Sequence, residues 1–253
     1  MLTTISPNQF TDYTFTGLAV AATIILCWAG LISTGLSFAF PGHGSVFGAV
    51  IWILLSTFAY TGLFITAHDA MHGLVSPKYT RLNHAIGALA LALFAAMPYK
   101  TLLRAHGHHH DTPSSHDDPD YHEGGGYLRW YLGFVFEYAT WTQFVVMAII
   151  FNLLHHLLGV SLPVLWLFWI LPQILSTLQL FTFGTFLPHR SGDYEGDGPT
   201  RTRTLHYPAW LSLLTCYHFG YHYEHHAWPF VPWWRLPEAY RIRKASFAKS
   251  SSP

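Results

Sequence analysis

CYHFGYHYEHHAWPF, residues 216–230, decides how the rest of the chain must be arranged. It carries His218, His222, His225 and His226. Read as a helix, it places His222, His225 and His226 at i, i+3 and i+4 on one face, with His218 one turn earlier on the same stripe. Crowded imidazoles repel when protonated and gain little by packing. They gain much by sharing a metal ion, because neutral imidazole is a ligand for borderline transition metals. A pH sensor or a chance His-rich helix end is the bland alternative. A metal reading needs further ligands from elsewhere in the chain, so the positions of the other histidines constrain the fold.

The chain has 253 residues, of which 51% are hydrophobic, 17% aromatic and 10% charged. Soluble domains carry about 25% charged residues, so the composition points to a bilayer. The formal net charge of +0 leaves no footprint for nucleic acid. Cys27 and Cys216 stand alone in apolar surroundings, which suggests neither a disulfide framework nor a thiolate metal site. No Lys or Arg precedes Lys78, so the start of the chain does not read as a cleavable signal peptide.

Four apolar runs reach the roughly 20 residues a bilayer span needs: about 16–40, 46–67, 130–154 and 162–187. A tight turn at Pro41-Gly42-His43-Gly44 joins the first two, and Gly159-Val160-Ser161 separates the last two. His43 is then a loop residue. Pro163 suits a helix start, whereas Pro172 predicts a kink. Glu137, two turns past Arg129, reads as lying near the interface. Leu82 to Pro98 is too short to span and reads as a helix in the membrane surface. All thirteen Lys and Arg lie from Lys78 to Arg129 or at Arg190 and beyond. Positive residues favour the cytoplasmic side. The expected fold is therefore an all-α integral membrane protein, one domain over 1–253. Its four transmembrane helices form two hairpins. Residues 68–129 and 188–253 form a cytoplasmic histidine-rich helical cap.

On that topology the histidines sort themselves. His68 and His72 lie one turn apart at the end of the second span. His106, His109 and His110 repeat the HxxHH spacing of His222, His225 and His226, which leaves His108 out. His189 follows the fourth span. His155 and His156 fall at the opposite membrane face, and His84, His116, His122 and His206 are isolated. With His218 kept as a support, nine candidate ligands remain. One tetrahedral zinc needs about four, so nine suit two metals. Imidazole accepts iron, zinc, copper or nickel alike.

These residues resemble the integral-membrane fatty acid desaturases, hydroxylases and alkane monooxygenases, a superfamily marked by the boxes HxxxH, HxxHH and HxxHH. The stretches HDAMHG, HGHHHDTPSSHDDPDY, FLPHRSG and CYHFGYHYEHHAWPFVPWWRLP, from residue 68 to 237, look most like bacterial β-carotene ketolases. The resemblance implies a di-iron centre held by His68, His72, His106, His109, His110, His189, His222, His225 and His226, with two Fe ions and O2 as co-substrate. It implies oxidation of the ring carbon-4 methylene of β-carotene to a ketone, through echinenone to canthaxanthin, and of hydroxylated carotenoids toward astaxanthin. The carotenoid would enter from the lipid membrane, and an external ferredoxin or reductase would supply electrons. The chain itself has no GxGxxG and no cysteine set for an iron–sulfur cluster. A bacterial inner or thylakoid membrane is the expected location, with the site on its cytoplasmic face.

Metal-bound histidines usually donate their second N–H to a carboxylate or carbonyl. Asp69 and Asp118, with His218, are the expected supports, and Asp111, Asp117 and Asp120 are weaker candidates in what otherwise reads as a solvated acidic loop. Trp228, Trp233 and Trp234 read as an interfacial belt or as a ring pocket. A fatty acid desaturase or hydroxylase or a carotenoid hydroxylase would carry the same boxes. A metal transporter would instead place its ligands inside the helices.

Overall fold

The computed structural model describes residues 5–6, 13–37, 45–122, 126–190, 192 and 194–250. The expected turn at Pro41 to Gly44 lies outside them. Among the described residues every regular element is helical. Three of the described helices are long and apolar enough to cross a membrane: α1 (Thr14–Ser37), α2 (Val46–Met71) and α7 (Leu162–His189). Two further pairs qualify only if each bent pair counts as one span. These are α3 (Thr80–Ala95) with α4 (Tyr99–Asp111), and α5 (Tyr127–Tyr138) with α6 (Trp141–Leu157). The chain ends in α8 (Ala209–Cys216), α9 (His222–Ala227) and α10 (Leu236–Ser250).

α2 is the central element. It packs against α1, α3 and α7, and its C-terminal half, from Ala59 to Ala70, is almost entirely buried. Glycines permit the closest approaches. A Cβ on Gly17 of α1 would collide with the Leu74 and Val75 carbonyls, and one on Gly87 of α3 with Tyr99 and Ala70. Polar side chains then tie α2 to α7 where water is scarce. The Thr61 hydroxyl meets Ser176 at 2.8 Å and Gln179 at 2.7 Å, and Gln173 donates to the Tyr60 hydroxyl at 3.1 Å. Such bonds are a standard means of joining helices inside a bilayer.

The expected third span is not straight. α5 and α6 meet at 87°, because Ala139 is extended and Thr140 begins a new helix with a capping box to Gln143. A stretch that reads as apolar throughout therefore contains a strong helix-start signal. α6 buries none of its residues, and Phe144, Val145, Ile149 and Leu153 face outward, as a lipid-facing helix requires. The Leu82–Pro98 segment is observed as α3, packed along α2, and its bend of 103° into α4 turns α4 toward the end of α2. Pro172 acts through a π-helical turn at Trp166–Ile170, and Pro188 follows a second one at Phe181–Phe186. A proline lacks the N–H and crowds the carbonyl four residues back, which widens the preceding turn.

The N-terminal end of α1, the C-terminal ends of α2 and α7, and the C-terminal segment gather at one end of the molecule. Lys78 N donates to Thr14, Arg235 donates to Tyr13, and Ile5 packs in a cluster with Tyr221, Trp228, Val231 and Leu236. Trp228 is buried in that cluster, and Trp233 packs edge-on against Tyr217 and contacts Trp234.

Candidate metal centre

Each histidine pair or triplet rides on a helix that aims it at a common point. His68 lies in the last turn of α2 and His72 caps it. α4 presents His106, His109 and His110, and its exposed face carries His108. α7 ends at His189, and α9 carries His222, His225 and His226. The structure brings these nine together in two groups that could each hold a metal ion: His68, His72, His106, His110 and His225, and separately His109, His189, His222 and His226. Within each group the ligand atoms lie within 4.8 Å of one another. The groups adjoin, since the His110 and His226 rings stack at 4.2 Å.

The protonation pattern favours a cation. His226 Nδ1 faces the Pro199 carbonyl at 3.1 Å, and a carbonyl only accepts, so Nδ1 carries the proton. His109 Nδ1 faces Asp118 at 2.8 Å. Asp118 also accepts from Ser114 N and Asp120 N, each at 2.8 Å, which leaves it an acceptor toward His109. In the neutral, ligating form of both rings, the two Nε2 atoms present bare lone pairs 3.2 Å apart. Two lone pairs at that distance repel unless a positive charge lies between or beside them. His222 Nε2 approaches His189 Nε2 at 2.7 Å and His226 Nε2 at 3.1 Å. In the other group His72 meets His106 at 2.7 Å, and His110 meets His225 at 2.9 Å. Both ring nitrogens of His68 are buried with no hydrogen bond among the described residues, a costly state that coordination would relieve. Burial first, and neighbouring imidazoles second, hold His222, His225 and His226 well below the ordinary histidine pKa. They are neutral at pH 7, which is the ligating form.

The expected supports divide. Asp118 bonds His109, as above. Asp69 Oδ1 is 3.6 Å from His68 Nδ1 without a hydrogen bond, and its other oxygen accepts from Trp233 N at 3.2 Å. His218 does not continue the helical stripe. α9 starts only at His222, and Tyr217 and His218 turn through φ of 45° and 65°. His218 instead packs on Tyr221 and Trp233, where burial pushes its pKa down to about 4. Asp120 bonds the Tyr138 hydroxyl and lies 3.7 Å from His109. Asp111 and Asp117 are exposed, as is Glu137. His155 bonds the Val160 carbonyl at the far end of α6 and belongs to neither group.

Two contacts have no readable sequence signal: the Pro199 carbonyl on His226, and Ser114 on His189 Nδ1 at 3.0 Å. A third did have one. Glu224, a carboxylate between His222 and His225, is wholly buried and paired with Arg243.

The histidines form one end of an apolar cavity of about 320 Å³. His68, His106, His109 and His222 face it, and its walls include Phe64, Phe94, Phe134, Leu180 and Phe219. Ala139, Gln143 and Phe144, at the α5–α6 bend, also line it. The cavity therefore runs from the histidines to a lipid-facing helix.

Comparison with known proteins agrees with this geometry. The fatty acid desaturase family model matches residues 44–253. A β-carotene ketolase of Paracoccus sp. (strain PC1) is 41% identical over 237 residues, covering 92% of this chain and 95% of that protein. A second, from Paracoccus sp. (strain N81106 / MBIC 01143), is 40% identical and covers 89% and 93%. A zeaxanthin 4-ketolase of Chlamydomonas reinhardtii is 40% identical over 91% of this chain, which spans 54% of the algal protein's length.

Proposed function

We propose a function from one premise: the chain belongs to the fatty acid desaturase family. On it we infer an integral-membrane oxygenase that converts the carbon-4 methylene of a β-ionone ring to a ketone. It would act on β-carotene by way of echinenone to canthaxanthin, and on hydroxylated carotenoids toward astaxanthin. The observation that carries this reading is the apolar cavity ending on His68, His106, His109 and His222 of the two histidine groups, in a chain about 40% identical to ketolases.

The nine histidines would hold two irons, five ligands on one and four on the other. When bound, the irons supply the oxygen activation that a C–H bond demands, with electrons from an external ferredoxin or reductase. The protein's own share is positioning and exclusion of water. Phe64, Phe94, Phe134 and Leu180 give the ring an apolar bed, and the bend at Ala139 gives a long rigid carotenoid a way in from the bilayer. Asp118 holds His109 with its lone pair inward, and the Pro199 carbonyl does the same for His226. We place the histidine end on the cytoplasmic side of a bacterial inner or thylakoid membrane, because the basic residues lie there. One domain over 1–253 would cross four times, the bent α5–α6 pair counting once.

Expression in a β-carotene-producing bacterium tests the activity. Red-shifted ketocarotenoids are expected. Altered lipid unsaturation with unchanged pigment would mean a desaturase, and zinc without iron in the purified protein would sink the oxygenase reading. Asp118→Asn is expected to lower metal affinity about 10- to 100-fold, read by chelator titration of the purified protein.

A further inference from the structure

Helical threonines of this protein spend their hydroxyls on their own backbone. Thr57 donates to Ile53 O at 2.8 Å, Thr66 to Gly62 O at 2.8 Å and Thr182 to Leu178 O at 2.6 Å. Thr185 differs. It is 5% exposed, yet its hydroxyl makes no hydrogen bond among the described residues. It lines the cavity that His109 and His222 also face. Thr185 lies in the π-helical turn Phe181–Phe186 that precedes Pro188. Its neighbour Gly184 keeps the wall open, since a Cβ there would meet only Phe219, at 3.6 Å. A hydroxyl that no protein group satisfies is open to a ligand, and this one belongs to a residue lining the space where the substrate ring would sit.

We propose that Thr185 is the positioning residue that retains a ring already carrying one hydroxyl at the reacting carbon, so that it is oxidised a second time before it leaves. This rests on the ketolase reading above. A ketone needs two oxidations at one carbon. The first replaces a C–H by C–OH, and the second replaces the remaining C–H, giving a geminal diol that loses water to leave C=O. Each takes one oxygen atom from O2. The other atom leaves as water, with two electrons from the external donor protein and two protons. The starting methylene offers Thr185 nothing, whereas the alcohol offers a donor and an acceptor. Thr185 therefore favours the intermediate over the substrate, and the intermediate is the species that must not escape into the bilayer.

The test compares wild type, Thr185→Val, which keeps the shape without the hydroxyl, and Thr185→Ser, which restores the hydroxyl. Iron-loaded protein in lipid nanodiscs is titrated without oxygen, so that no turnover occurs, with β-carotene and with its 4-hydroxy derivative. Thr185→Val is expected to bind the 4-hydroxy compound roughly three- to tenfold more weakly and β-carotene unchanged. In a β-carotene-producing host its ratio of 4-hydroxy to 4-keto product should rise by a similar factor, and Thr185→Ser should return both readouts toward wild type. Equal weakening for the two carotenoids would overturn the proposal, as would an unchanged product ratio. Thr185→Ala serves if Thr185→Val does not accumulate. A wild type that makes neither alcohol nor ketone removes the parent reading and this one with it. A wild type that makes ketone, with Thr185→Val indistinguishable from it, removes this one alone.

Discussion

His109→Ala and His225→Ala are each expected to abolish ketone formation, by at least about 100-fold, while the protein still inserts. One is drawn from each histidine group. The loss is large because neither group has a spare donor: the four ligand atoms around His109 and the five around His225 comprise every described histidine that converges there. Losing a ligand costs affinity directly, and losing a metal removes the chemistry outright. His109→Ala does further damage, because Asp118 loses the imidazole it orients. The measurement pairs iron content with pigment at matched expression. Each variant should lose iron, and near-normal turnover would strike that residue from the proposed ligands. His155→Ala and His108→Ala are the controls. His155 bonds a carbonyl at the far end of α6 and His108 is exposed, so both should keep most activity. An inactive His155→Ala would contradict the separation of the two ends.

The histidine geometry was legible because its signal is periodic. HxxHH on a helix puts three rings on one face, and α4 and α9 do so. The apolar runs of α1, α2 and α7 were legible from length alone. The α5–α6 bend was not, since hydropathy averages over Ala139 and Thr140 while one capping box decides the direction of the chain. His218 misled for the opposite reason. Its spacing fits a helix, but Gly220 and the positive φ values of Tyr217 and His218 belong to a turn that delays α9. Backbone partners such as Pro199 O leave no mark on residue identity, because every residue has a carbonyl.

Arg243→Ala carries the largest expected stability loss, although it touches no histidine. Glu224 is 0% exposed in α9, between His222 and His225. Its Oε1 accepts from Arg243 Nε at 2.6 Å and its Oε2 from Thr204 at 2.5 Å. Arg243 Nη1 reaches Glu195 at 2.5 Å, and Glu195 accepts from Thr204 N at 2.7 Å. One guanidinium thus balances two carboxylates and fixes α10 over α9. Its removal leaves Glu224 buried without its cation, at a cost of about 3–5 kcal/mol, a large share of a typical net stability. Burial already pushes the Glu224 carboxyl up, and Arg243 opposes that shift. Without Arg243 the carboxyl rises further above its unfolded value. The penalty is therefore full at neutral pH and shrinks as falling pH protonates Glu224. Thermal inactivation of purified Arg243→Ala at pH 7 and pH 5 measures both effects. Glu224→Gln in the same background should recover part of the loss at pH 7, since an amide needs no counter-charge. A variant as stable as wild type at pH 7 would mean that water or another cation reaches Glu224, and that α9 is held in place by its histidines alone.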